Sequence, residues 1–514
     1  MDIRVSTRDV QQFDGDALVV GVFSDKPLDG AAAAIDKALA GVIAELKENG
    51  EVRGATDEVT LLHTLGKIEP SRVAIVGLGA AKDLCGHRIR RASAIACRTL
   101  RKAGARHVGL ALASAEHGLN LAQAGRAAVE GAILGLYQFR LYKGASGQHR
   151  QPAREIESIT IIGRGREVAL RAAVDRGRIL AESQNFARDL GNEPPNVLTP
   201  TEMANRAEAM ADEVGLECEI YGPEWIHQQG MGALLGVAQG SAQEPRFIVL
   251  RYKGGASRKP TLGLVGKGIT FDTGGISIKP AADMDSMKMD MCGGAAVIGA
   301  MRALALLKPR LNVTGIVPAT ENMPGGTAYR PGDILRAKNG KTIEIVNTDA
   351  EGRLILADAL CYAVEHKLSP IIDAATLTGA MVVALGHVRA GFFSNDDALI
   401  EDVRTAADAA GERLWAMPFD SEYGDLVHSE IADVKQTGGR AGGAVAAAKV
   451  LGSFVAETPW AHLDIAGTAY RDHREVDGEK GANGFAVRTF VELATLLAER
   501  SGESRGHGKA APAI

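Results

Sequence analysis

Aromatic residues make up only 4% of this 514-residue chain, which leaves little material for base-stacking platforms. Cysteines are also few. The five (Cys85, Cys97, Cys218, Cys292 and Cys361) are far apart and odd in number, and none belongs to a Cys-x-x-Cys pair. Neither a disulfide framework nor a cysteine zinc site is therefore expected, and free thiols fit a reducing compartment. Basic charge is not in excess: 58 Lys and Arg face 63 Asp and Glu, for a formal charge of -5. That argues against a chain built mainly to coat nucleic acid. The opening MDIRVSTRDV has no apolar core, so no secretory signal is expected. No run of about 18 apolar residues is present, so no membrane span is expected either. The expected location is the cytoplasm.

Apolar residues at 46% and charged residues at 24% match an ordinary globular protein. The 61 glycines follow no period and imply many tight turns. At roughly 150 residues per domain the length suggests two to four domains, two large ones fitting best. Strand-like runs at Ala17–Phe23, Arg72–Leu78, His107–Ala113 and Ser158–Gly163 alternate with helical stretches at Ala31–Glu48, His87–Ala103 and Asn120–Arg140. Alternation of this kind implies an α/β domain with a largely parallel sheet. Lys143–Glu155 reads as a loop. A helix from Arg166 to about Asp189 ends at Gly191-Asn192-Glu193-Pro194-Pro195, a strong stop.

The second part alternates too. Strands are expected at Arg246–Tyr252, Thr261–Ile269, Asn312–Ala319, Thr342–Val346, Pro370–Ala374 and Ala461–Asp464, and helices at Met287–Ala305, Arg353–His366, Ala444–Val455 and Phe485–Glu499. The expected organisation is a smaller N-terminal α/β domain over 1–165, a connector helix over 166–191, a catalytic domain over 192–500 and a flexible tail over 501–514.

Three segments carry chemistry. The first, VGKGITFDTGGISIKP from Val265 to Pro280, holds Lys267, Asp272 and Lys279 in a glycine-rich frame after a strand, where α/β sheets usually bind ligands. It is not a phosphate loop: Thr261 stands where that motif needs its first Gly, and Gly268 follows the lysine. Asp272-Thr273-Gly274 resembles an aspartic protease tripeptide, but no second copy exists in the chain. The second segment places Asp290 at the start of an Ala-rich helix; alone, it reads as a carboxylate favoured by the helix dipole. The third, NTDAEGRL from Asn347 to Leu354, carries Asp349, Glu351 and Arg353. Alone, Asp349 reads as a helix cap with Glu351 in the first turn. Taken together, the four carboxylates would repel unless cations neutralised them. Two divalent ions about 3.5–4 Å apart are a standard device for activating water.

These residues resemble the leucyl aminopeptidase (cytosol aminopeptidase) family in order and separation. The likeness runs from about Asn192 to Glu499 and includes NEPPN and DAATLTGA; the first 165 residues match only as a generic α/β domain. The resemblance implies a larger catalytic domain with a mixed sheet between helices, and a homohexamer with peptide substrates. It implies a two-metal exopeptidase that releases N-terminal residues, preferably Leu and other apolar ones. One metal would be held by Lys267, Asp272, Asp290 and Glu351, the other by Asp272, Asp349 and Glu351, with Mn or Zn as the ions. As a ligand Lys267 would be neutral; its bland reading is a solvated or salt-bridged lysine. Lys279 would polarise the scissile carbonyl, and Arg353 would hold a bicarbonate that shuttles the proton. Asp290 would also take the substrate amine. Met287, Thr376, Leu377 and Gly379 would line the substrate pocket, although Met287 alone reads equally as core packing.

Two other readings use the same residues. A metal pair also serves phosphate esters. Some bacterial relatives of the family bind DNA, for which Arg98–Arg106 (RTLRKAGAR) is the best basic stretch here.

Overall fold

The computed structural model describes residues 1–112, 119–142, 155–256 and 260–503. The loop expected over 143–155, all but its last residue, and Ala113 of the third expected strand lie outside the described residues. The last helix reaches Glu503, so the expected tail is helical over its first three residues; the remainder of the tail is likewise outside.

The chain forms two compact units. The first comprises Met1–Glu182 and His473–Lys480. Its sheet contains β1 (Asp2–Ser6), β2 (Ala17–Val22), β3 (Val59–His63), β4 (Arg72–Gly77), β5 (His107–Ala111) and β6 (Ser158–Ile162), in the order β1-β6-β5-β2-β4-β3. Only β3 runs antiparallel to its neighbour. Strand β2 is apolar throughout and buried at five of its six positions, as a central parallel strand covered on both faces must be. Val19 and Val76 face the helices Gly86–Lys102 and Leu121–Leu136, while Leu18 and Val20 pack with Ile35 and Ile43 on the other face. The helix Leu121–Leu136 starts at a reciprocal cap between Asn120 and Gln123. The single helix expected over Ala31–Glu48 is broken in two: Ala40 and Gly41 both adopt left-handed backbone (φ 60° and 88°) between Gly30–Ala38 and Val42–Glu48.

Residues 473–480 return to this unit from late in the chain. Asp477 pairs with Arg91 at 2.8 Å and Glu479 with Arg98 at 2.9 Å. Neither pairing is readable from local pattern. The division between units falls within the helix Glu167–Asn192.

The second unit is built on a nine-stranded mixed sheet. Its strands are β7 (Glu217–Tyr221), β8 (Arg246–Lys253), β9 (Thr261–Gly266), β10 (Gly268–Asp272), β11 (Asn312–Asn322), β14 (Leu368–Ala375), β15 (Ala390–Ser394), β16 (Leu414–Ala416) and β18 (Trp460–Asp464). A three-stranded sheet joins β12 (Ile334–Arg336), β13 (Thr342–Glu344) and β17 (Val434–Lys435), and β19 (Tyr470–Arg471) pairs with β20 (Gly481–Ala482). The centre of the large sheet is four parallel strands, β18-β14-β9-β11. Helices Gly352–Glu365 and Gly443–Gly452 pack on it through Leu354, Ile355, Ala446 and Val450.

Two expected elements differ in ways that matter for function. Thr261–Ile269 is not one strand. The chain leaves β9 after Gly266 and resumes as β10 at Gly268, pairing there only with β11. The break is forced by close packing: a Cβ on Gly266 would stand 2.4 Å from the Gly293 carbonyl oxygen. The helix expected from Met287 is preceded by a 3-10 segment, Met284–Met291, and the α-helix itself is Cys292–Leu307. Met284–Leu307 is long and apolar enough to cross a membrane by length and composition, but its most apolar stretch is 83% buried inside the protein, as a core helix is.

Candidate active site

The four central strands all end on one side, and their C-terminal ends deliver the site. Lys267 follows β9, Thr376 follows β14, Asn322 closes β11 and Asp464 closes β18. Lys267 occupies the break between β9 and β10, anchored by its N–H donating to the Ala374 carbonyl (3.1 Å) and its carbonyl accepting from Gly294 (2.7 Å).

Its side chain is buried, with Nζ 2.6 Å from Asp290 Oδ2, 2.8 Å from Glu351 Oε1 and donating to the Thr376 carbonyl at 3.1 Å. Lys279 lies opposite. Its Nζ is 2.8 Å from Asp272 Oδ2 and in contact with Asp349 Oδ1. Asp272, Asp290 and Glu351, all buried, offer oxygens within 4.8 Å of one another. Asp349 is half-buried beside them. Thus all four expected carboxylates and both lysines converge.

Asp349 is not the cap that its position in the sequence alone suggests. The cap of the 3-10 turn Thr348–Ala350 is Asn347, whose side chain accepts from the Asp349 N–H at 3.0 Å. Asp290 lies just before the helix Cys292–Leu307, and its Oδ1 accepts from Thr376 Oγ1 at 2.7 Å.

Burial pushes Asp290 well above the usual carboxylate range, against the pull of Lys267. Burial and the neighbouring Glu351 push Asp272 up to about 6. Burial also raises Asp349, against Lys279. For Glu351 the burial penalty is outweighed by Lys267 and Lys279, and its carboxyl is lowered. Both lysines are raised despite burial, because carboxylates surround them. Four acids against two contacting ammonium groups leave negative charge uncompensated. Asp290 Oδ2 and Asp349 Oδ1 face an ammonium without an aligned hydrogen bond. Hard-oxygen donors in this arrangement, plus one amine, suit divalent metal.

Arg353 opens the helix Gly352–Glu365 and is buried. One Nη donates to the Gln436 carbonyl at 2.9 Å, Nε has no partner among the described residues, and burial lowers its pKa. Its guanidinium is a buried charge with bonding capacity to spare, as an anion site requires.

Sequence reading missed the residues that hold these groups. Gln436 accepts from the N–H groups of Val346 and Asn347 (both 3.2 Å) and donates to the Ala350 carbonyl (2.9 Å). Asp464 accepts from Thr378 Oγ1 (2.6 Å) and from the Leu377 and Thr378 N–H groups. Asn322 donates to Asp272 Oδ1 at 2.8 Å. Tyr329 donates to the Thr348 carbonyl at 2.7 Å. Thr348 Oγ1 donates to the Gly274 carbonyl (2.7 Å) and accepts from the Ser277 N–H (2.8 Å), tying the first and third segments together. No local signal marks Gln436, Asp464, Asn322 or Tyr329, and Thr348, although inside the NTDAEGRL segment, gives no local sign of its bonds to Gly274 and Ser277; each of the five bonds a segment remote in sequence. Of the expected pocket residues, Thr376 is buried against Asp290, Leu377 is half-buried, Met287 is half-buried in the 3-10 segment, and Gly379 is exposed with open space where a Cβ would stand.

Residues 185–491 match the family model described as the cytosol aminopeptidase family, catalytic domain, and residues 19–146 match that family's N-terminal domain. This chain belongs to the cytosol aminopeptidase family. The assignment makes it a metallo-aminopeptidase, a hydrolase of peptide bonds. It is 49% identical to a probable cytosol aminopeptidase of Solibacter usitatus, covering 96% of this chain and 99% of that protein. It is 42% identical to one of Alkaliphilus metalliredigens, covering 97% and 100%. A mutant of tomato leucine aminopeptidase superposes with a TM-score of 0.87 at 34% identity, covering 96% of each chain. A bottromycin maturation enzyme, solved in complex with Mn, superposes at 0.83 with 35% identity, covering 94% and 100%.

Proposed function

We propose that this aminopeptidase releases N-terminal residues, with a preference for Leu and other apolar side chains, using two divalent ions. The observation that carries the reading is the convergence of Asp272, Asp290 and Glu351 within 4.8 Å, with Lys267 in contact with two of them. Lys267, Asp272, Asp290 and Glu351 would hold one ion; Asp272, Asp349 and Glu351 would hold the other. Bound there, the ions supply an acidified water and a Lewis acid for the scissile carbonyl. To serve as a ligand, Lys267 would have to be neutral, its ion pairs with Asp290 and Glu351 replaced by the metal.

The chain's other groups divide the remaining work. Lys279 stays charged among carboxylates, which suits it to polarise the carbonyl and stabilise the developing oxyanion. Asp290 also takes the substrate's α-amine, which restricts cleavage to the chain terminus. Arg353 would hold a bicarbonate, which would supply a proton acceptor and donor there; a fork-shaped donor set with Nε unpaired among the described residues fits a planar anion. Met287, Thr376, Leu377 and Gly379 line the pocket for the first side chain, where a methionine adapts to Leu or Met. The ions are Mn or Zn. The protein works in the cytoplasm as a homohexamer, its N-terminal domain serving assembly and access.

The test is hydrolysis of Leu-p-nitroanilide after chelation, with Mn²⁺ or Zn²⁺ added back, on wild type and Asp349→Asn. Activity should return with metal in the wild type only. A folded wild type inactive with every metal would overturn the reading.

A further inference from the structure

We propose that Asn322 is a positioning residue that sets the two carboxylates shared between the metal sites; the inference rests on the two-metal reading above. Asn322 is the last residue of β11, is fully buried, and pairs in register with Asp272 at the end of β10. Its Nδ2 donates to Asp272 Oδ1 at 2.8 Å and to the Thr348 carbonyl at 3.0 Å, with Glu351 Oε2 at 3.4 Å. One amide nitrogen thus gathers three oxygens, one from the first segment and two from the third. The second oxygen of each carboxylate is left to face a cation position: Asp272 Oδ2 lies 2.8 Å from Lys279 Nζ, and Glu351 Oε1 lies 2.8 Å from Lys267 Nζ.

The amide's orientation follows from its surroundings. Turned over, Oδ1 would meet three acceptor oxygens. As it stands, Oδ1 has no partner among the described residues, a cost that a buried amide normally avoids. The fold makes room for this arrangement: a Cβ on Gly275 would lie 2.8 Å from Asn322 Oδ1. An uncharged donor is the suitable group here, because it orients carboxylates without neutralising them, and an aspartate would add a fifth negative charge. Hydrogen bonds to ligating carboxylates tune metal affinity in just this way.

The experiment uses the full chain, stripped with chelator and titrated with Mn²⁺ by calorimetry. The spin-coupled Mn²⁺ signal in electron paramagnetic resonance, and kcat and KM on Leu-p-nitroanilide, are read beside it. Asn322→Leu keeps the shape and loses the donor; Asn322→Ser is the smaller alternative. Mn²⁺ should bind about 10–100-fold more weakly in the variants, with an altered coupling signal, lower kcat at saturating Mn²⁺ and little change in KM. Variants that lose thermal stability yet bind Mn²⁺ as tightly as wild type, with the same coupling, would overturn the proposal. So would failure of both variants to fold, since the amide would then be a support of the fold. A wild type that does not bind two Mn²⁺ ions would instead bring down the two-metal reading, and this inference with it.

Discussion

Gly352 and Lys267 compete for one volume: a Cβ on Gly352 would stand 2.7 Å from Lys267 Cε and 2.8 Å from its Nζ. The glycine at the start of the helix Gly352–Glu365 is therefore what lets the lysine reach Asp290 and Glu351. Alanine is the better helix former, so Gly352→Ala should keep the helix and displace the lysine. Displacement of about 1 Å in a catalytic constellation costs on the order of 100-fold in rate. We expect that loss in kcat with an unchanged circular dichroism spectrum. Activity close to wild type would show that Lys267 can shift without consequence.

Arg353 should not tolerate a lysine. Its guanidinium holds the Gln436 carbonyl at 2.9 Å and keeps Nε free, and a point charge cannot reproduce that fork. Arg353→Lys should lower kcat by roughly 100-fold or more, the scale of a lost proton-transfer group. In buffer depleted of carbon dioxide, added bicarbonate should raise the wild-type rate and leave the variant unchanged. A flat response in both would remove bicarbonate from the reaction.

Asp464 organises the turn after β14. It accepts from Leu377 and Thr378 N–H groups, Thr378 Oγ1 and the Ala466 N–H. Asp464→Ala leaves several of these buried donors unpaired, at roughly 1–3 kcal/mol each where no water reaches them. Urea unfolding should show a loss of about 3 kcal/mol or more, and KM should rise because Thr376 and Leu377 adjoin the turn. Unchanged KM in a folded variant would separate the turn from substrate binding.

A buried histidine outside the carboxylate cluster supplies a pH dependence of its own. His462 on β18 sits beside Asp373 on β14, with Nδ1 2.6 Å from Asp373 Oδ1, and Trp460 Nε1 donates to the other oxygen at 2.7 Å. Burial opposes its charge, but Asp373 outweighs burial and raises its pKa. Because the folded value lies above the unfolded one, the stabilisation is fully present below the ordinary histidine pKa of about 6.5. It is lost as pH rises through the raised value. The Tm difference between wild type and His462→Gln should therefore shrink from pH 6 to pH 9. A constant difference would mean that the imidazole stays neutral throughout.

Much of this protein was readable before any coordinates. The uninterrupted apolar run of β2 announced a covered parallel strand, and Glu193-Pro194-Pro195 announced the end of a long helix. The six charged residues of the cluster were identified from three short segments, because motif spacing is local and survives in the linear chain. Local pattern could not show that Thr261–Ile269 breaks at Lys267, where Gly293 and Gly294 at the start of the helix Cys292–Leu307 approach closely from another segment. It could not show that β11 runs three residues further, to Asn322. Nor did it mark Gln436, Asp464 or the return of residues 473–480 to the first unit. The sequence by itself determined which residues are charged, which runs are buried and which motifs stand near strand ends. Only the tertiary structure decided which oxygen faces which cation, because that depends on the register between strands far apart in the chain and on the hydrogen bonds that register brings together.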